Sequence, residues 1–270
     1  LVAAPFDAPL GSKTAGSEPN TLGGYYIVVF GLLLAYFING QVGSAWAWGS
    51  LLFMMAPFLM TQSRTSYIGV GASVCFLAVV NARRRLNLLF WTLAILLPML
   101  LVPQIRETVL ERVVYTFTGG GYVEKLELGS GAALELEPST MARVNTWGDV
   151  LLGIFPKHPL IGSGVTGIGF VDVQYPRVIG ETGLVGLFFF LWLLWRIWRM
   201  AWDVYRRSTH GQDKSLALGV LAALAGLIVH GFGASTFIIV RIMEPFWFLT
   251  ALVARAQINL GRKEDYRSLS

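Results

Sequence analysis

The chain has 270 residues, 54% hydrophobic and only 14% charged, with a mean hydropathy of +0.59. That composition excludes an ordinary water-soluble domain and requires apolar surface that faces lipid. The net charge of +5 would suit nucleic acid, but the basic residues flank hydrophobic runs, where they set membrane orientation, so nucleic acid is not an expected partner. The apolar runs are continuous and lack the alternation of a membrane β-barrel, so an all-α integral membrane protein is expected. Cys75 is the sole cysteine and lies in an apolar run, which excludes disulfides and cysteine metal sites and suits a small packing residue. With no initiator Met and no charged leader, the sequence reads as part of a longer protein.

Seven membrane spans are expected: Leu22–Ile38, Ala45–Met60, Tyr67–Asn81, Leu86–Val102, Gly183–Ile197, Leu216–Phe232 and Phe237–Ala254. The second and third are short, and Pro57 invites a kink in the second. This divides the chain into an external polar segment (1–21), four spans within 22–102, a large extracytoplasmic loop with short helices (103–182), three spans within 183–254 and a cytoplasmic tail (255–270). Sidedness follows from Lys and Arg. Arg83, Arg84 and Arg85, the basic segment after the fifth span and the Arg-rich tail after the seventh all fall on one side when crossings are counted alternately. That side is assigned to the cytoplasm.

Arg64, in TQSRTSYIG, then lies on the outer side, where topology does not account for a cation. Snorkelling to the interface or to lipid phosphate is the bland alternative. Within the long loop, TGGGYVEKLELGSGAALELEP reads as a Gly-rich, acidic flap. PSTMARVNTWGDVLLGIF reads as a helix capped by Ser139 or Thr140, with Met141, Val144, Trp147 and Leu151 on one face and Arg143, Thr146 and Asp149 towards another. GSGVTG fits a dinucleotide-loop spacing, but no βαβ unit surrounds it, so its glycines are assigned to a tight loop approaching a ligand or a neighbouring helix. His158 precedes a proline and reads as a turn residue. Asp172, Arg177 and Glu181 cluster at the mouth of the fifth span, and the i,i+4 spacing of Arg177 and Glu181 suits a helical salt bridge. His230 falls within a span, where hydrogen-bonded packing is the default for an ionisable group.

The outer-side arginines Arg64, Arg112, Arg143, Arg177 and Arg241 share a chemistry. Guanidinium groups grip phosphate oxygens through paired, charge-assisted hydrogen bonds, so a cluster at the membrane surface suits a lipid pyrophosphate. No Asp, Glu or His set with metal-ligand spacing accompanies them, and neither a metal nor another cofactor is expected.

EPNTLGGYYIV, QSRTSYIG, ERVVYTF, STMARVNTW, HPLIGSGVTGIGFVD and YPRVIGETGLVG occur in the order seen in the O-antigen ligase/polymerase family, which the chain resembles from about Asn20 to Trp247. The resemblance implies a bacterial inner-membrane glycosyltransferase with a periplasmic active face. An acceptor hydroxyl would attack a sugar carried on undecaprenyl pyrophosphate, without a metal and with inversion. It assigns Arg64 and Arg143 to the pyrophosphate and matches Glu181 and Gly183 to an E-x-G element. Arg177 and Arg241 join the pyrophosphate set, and Asp172 and Glu181 are the catalytic carboxylates expected. Where ligases carry a histidine about nine residues before that Glu, this chain has Asp172, which favours polymerisation of surface polysaccharide or exopolysaccharide over ligation to lipid A–core. The partners implied are the lipid-linked oligosaccharide donor, a saccharide or glycolipid acceptor, membrane lipids and chain-length or export proteins. A lipid-linked saccharide transporter is the competing class, and a non-catalytic assembly partner a third.

Overall fold

A computed structural model describes residues 19–61, 63–81, 124–128, 132–136, 138–169 and 171–268. Its elements are α1 (Pro19–Ile38), α2 (Ser44–Met60), α3 (Arg64–Val80), β1 (Glu124–Leu128), β2 (Ala132–Leu136), α4 (Pro138–Gly148), α5 (Gln174–Arg207), α6 (Gly211–His230) and α7 (Val240–Ser268). Two compact units emerge, residues 1–91 with 191–270 and residues 92–190, and α5 contributes to both.

Six of the seven expected spans coincide with helices; the fourth, Leu86–Val102, lies outside the described residues, as do Arg83, Arg84, Arg85 and Arg112. Length and apolarity narrow the set. Among the described residues only α1, α5 and α6 are long and apolar enough to cross a membrane, so three of the six expected spans that are described do not meet that requirement. The physical reason is plain in each case. α2 and α3 have 17 residues each, short of the ~20 that a bilayer core requires. The apolar stretch of α7 is broken by Arg241, Glu244, Pro245 and Arg255. α2 continues through Pro57 to Met60.

In the helical unit α6 is the central element. Its sequence LALGVLAALAGLIVH has no polar face, and residues 215–224 are buried without a break, as an apolar-all-round helix should be. Small residues bring the partner backbones close. A Cβ added to Gly31 of α1 would lie 2.9 Å from the Ala223 nitrogen, and one on Gly226 would lie 2.7 Å from the Gly69 carbonyl oxygen of α3. Gly31→Ala is therefore expected to force α1 and α6 apart at a cost of about 1–3 kcal/mol, measured as a lower thermal midpoint in detergent. Phe30, Phe58 and Tyr67 then join α1, α2 and α3 through edge-on contacts, each with ring centroids 5.3 Å apart.

The two ends of this unit differ in chemistry. At one end Tyr205 at the close of α5 donates to Asn81 Oδ1 after α3 (3.4 Å), Lys214 of α6 lies over the Tyr205 ring, and Gln257 of α7 donates to Asp203 (3.2 Å). Arg206 and Arg207 close α5 there. The opposite end holds the starts of α1, α3 and α7 and the end of α6.

The second unit adds a short β-hairpin to the helices. The expected flap is a hairpin in which β1 pairs antiparallel with β2, Leu126 opposite Leu134 and Lys125 opposite Glu135. The alternation in EKLEL and in the end of AALEL carries that period-2 signal. α4 forms, but it begins at Pro138, so Ser139 and Thr140 lie within it and do not cap it, and a π-helical turn over Asp149–Ile154 follows. The wider turn rotates later side chains backwards. Met141 is buried as expected, whereas Val150 takes the inward position and Val144 and Leu151 are exposed.

Candidate functional site

Arg64 is the first residue of α3 and half-buried. Ser63 caps that helix, its Oγ accepting from the Ser66 backbone N–H. The cap is the beginning of a polar chain through the bundle. Ser63 Oγ donates to Asn20 Oδ1 at 2.7 Å and contacts Ser66 Oγ at 2.6 Å. Ser66 Oγ contacts His230 Nε2 at 3.2 Å, and His230 Nδ1 contacts Thr236 Oγ1 at 2.8 Å. Ser66, His230 and Thr236 are fully buried. Thr236 Oγ1 in turn donates to the Ala234 carbonyl at 3.1 Å. His230 is thus a hydrogen-bonded interior residue, as its sequence context implies, and its bonds tie the start of α3 to the segment preceding α7.

Arg241 is exposed at the start of α7. Gly24 of α1 faces both Ile242 and the His230 ring, and the adjacent Gly23 faces Ser66. The structure therefore brings Arg64 and Arg241 to one end of the helical unit, the end opposite Arg206, Arg207 and Lys214.

The remaining expected site residues belong to the second unit. Arg143 is half-buried on α4, and Asp172 is exposed just before α5. Arg177 and Glu181, on the first turns of α5, form the expected i,i+4 ion pair, Nε to Oε1 3.2 Å, although that Nε–H is not aligned for a hydrogen bond. Glu181 Oε1 also accepts from the Thr166 backbone N–H at 3.2 Å. Its carboxylate is mostly covered and already shared by a guanidinium and an amide.

The glycine loop and the E-x-G element meet here. α5 is broken at Gly183, whose φ of 64° and ψ of −162° are not helical. A break of this kind strands backbone groups that would have paired along the helix. The loop Pro159–Gly164 supplies replacements. Ser163 N–H donates to Gly180 O (2.9 Å), Gly164 N–H to Glu181 O (2.9 Å), and the amides of Leu184 and Val185 donate to the carbonyls of Pro159 (2.9 Å) and Leu160 (3.1 Å). Four bonds to the loop replace the i→i−4 ladder across the kink. Of the two roles expected for these glycines, approach to a neighbouring helix is the one observed. His158 is an exposed turn residue whose carbonyl accepts from Gly162 N–H.

Sequence reasoning missed the helix break and the polar chain of Asn20, Ser63, Ser66 and Thr236. Glycine in an apolar helix signals the first only weakly, and the second is assembled from three separate stretches. Among the described residues no group of His, Cys, Asp or Glu is placed to hold a metal ion. No family model, curated protein or solved structure matches the chain. The fold therefore defines its class: a predominantly helical protein with, among the described residues, three helices long and apolar enough for a membrane.

Proposed function

We propose that this chain is the membrane part of a bacterial glycosyltransferase that moves saccharide from an undecaprenyl-pyrophosphate donor to an acceptor sugar at the periplasmic face, extending a surface polysaccharide or exopolysaccharide. The observation that carries this reading is the segregation of cations in the helical unit. Arg206, Arg207 and Lys214 gather at the end where positive-inside topology puts them, while Arg64 and Arg241 sit at the other. Both stand in the first turn of a helix, where the backbone dipole also favours an anion. Exposed apolar side chains such as Phe53, Phe188, Phe189 and Trp192 supply the lipid-facing surface. The resemblance assigns Arg143 to the pyrophosphate as well, and Asp172, exposed just before α5, is the carboxylate that would orient or deprotonate the acceptor hydroxyl. Glu181, committed to Arg177 and Thr166, acts as a positioning residue, which revises its expected catalytic role. Asp172 in place of a histidine favours polymerisation; ligation to lipid A–core is the neighbouring alternative.

Arg64→Ala and Arg143→Ala are each expected to lower chain extension about a hundredfold in a reconstitution with purified lipid-linked repeat units, roughly the ~2.7 kcal/mol of one lost phosphate clamp. Membrane abundance should be unchanged, and full-length product from both variants would overturn the proposal. One observation favours a second reading. A discontinuous helix such as α5 is also a transporter device. Movement of lipid-linked saccharide in vesicles lacking any acceptor would support transport instead.

A further inference from the structure

Between the C-terminal half of α5 and α7 the helical unit opens into a groove of about 660 Å³, a size within the ~300–1,000 Å³ of small-molecule sites. Arg196 and Arg199 line it from α5, and Trp247, Ala251 and Ala254 from α7. Three residues apart on one helix, the two guanidinium groups emerge side by side. Arg199 is braced 5.3 Å above the Trp195 ring. The one carboxylate in the groove, Asp203, is taken up internally: Arg207 NH1 lies 3.1 Å from its Oδ2, and Gln257 Nε2 donates to the same oxygen at 3.2 Å. Thr250 turns its hydroxyl to the Phe246 carbonyl at 2.8 Å. The groove thus keeps two positive charges that its own acid does not neutralise.

Its walls are as informative as its charge. From the arginines, α5 continues as an exposed apolar strip through Trp195, Trp192, Leu191 and Phe188, while Ala251 and Ala254 leave room on the facing helix. A free phosphate would use the arginines and ignore the strip. A lipid uses both, its phosphate in the paired guanidinium forks and its acyl chain along the aromatic surface. Basic pockets between membrane helices on the cytoplasmic side suit such head groups.

We infer that the Arg196–Arg199 groove is a binding site for an anionic phospholipid, at the end of the protein opposite Arg64. The inference rests on the membrane reading of the apolar helices and is independent of glycosyl transfer. Detergent-purified protein is examined by native mass spectrometry with phosphatidylglycerol, with phosphatidylcholine of the same chains and with glycerol phosphate. Phosphatidylglycerol is expected to be retained at least about tenfold better than phosphatidylcholine, ~1.4 kcal/mol, and glycerol phosphate not retained. Arg196→Gln/Arg199→Gln should abolish that preference, whereas Arg206→Gln, a charge loss outside the groove, should preserve it. Equal retention of the two lipids, glycerol phosphate bound as well as lipid, or equal losses in the two variants would each overturn the site. Carbonate extraction of the source membranes separates the failures. Protein released by carbonate refutes the membrane reading itself, and carbonate-resistant protein without lipid preference refutes the groove alone.

Discussion

Gly183→Ala should leave little folded protein and sharply lower the thermal midpoint of what remains. Two costs combine. The dihedrals at position 183, φ 64° and ψ −162°, belong to a region that is essentially reserved for glycine, with strain of about 1–3 kcal/mol for any other residue. The new methyl would also meet backbone: 2.4 Å to the Leu160 carbonyl carbon and oxygen and 2.7 Å to the Gly162 nitrogen. Neither can move without breaking the four hydrogen bonds that seal the helix break, so a further ~1–3 kcal/mol of overpacking follows. The sum is a large fraction of the ~5–15 kcal/mol that holds a typical protein together. Gly71→Ala is the control, because a Cβ there meets nothing within 4 Å and the residue stands in a regular helix. It should match or slightly exceed the parent, since Ala is favoured over Gly in helix interiors by ~1 kcal/mol. If both variants melt alike, the loop does not seal the break.

His230→Leu is expected to cost about 2–4 kcal/mol in the same melt, through two lost hydrogen bonds and a buried Ser66 left one partner short. A loss of packing alone would predict a similar number, so the discriminating measurement is the double-mutant cycle. Ser66→Ala alone should cost about 1–2 kcal/mol, and the double variant less than the sum by ~0.5–2 kcal/mol, because the second substitution removes a bond already broken. Strict additivity would mean that the His230–Ser66 contact contributes nothing. A functional consequence accompanies the loss. Ser63 and Ser66 define the first turn of α3, so loosening them releases Arg64 from its place, and under the proposed function chain extension should fall in step with stability.

How much of this was legible in the residues differs from one element to the next. α1 and α6 were plain, because a long, continuous apolar run satisfies its backbone groups internally only as a helix. The Arg177–Glu181 pair was legible too, since i,i+4 contacts are local. The hairpin was written in the alternation of EKLEL and of the end of AALEL, but the glycine and acid content drew the reading to a flap instead. The shift from Leu151 to Val150 as the inward residue was not legible, because a π-helical turn alters the period that the reading assumed.

Composition, apolar run length and charge placement, all additive properties of the chain, by themselves determined that the protein is mainly helical and apolar, where its helices lie and which of their ends are basic. The closure of the α5 break by Pro159–Gly164, the chain from Asn20 to Thr236 and the groove beside Arg196 and Arg199 were decided only by tertiary structure. Each joins residues from separate stretches of sequence, and whether a hydroxyl, a carbonyl or a guanidinium finds its partner depends on distances of a few tenths of an ångström. No periodicity or composition encodes those.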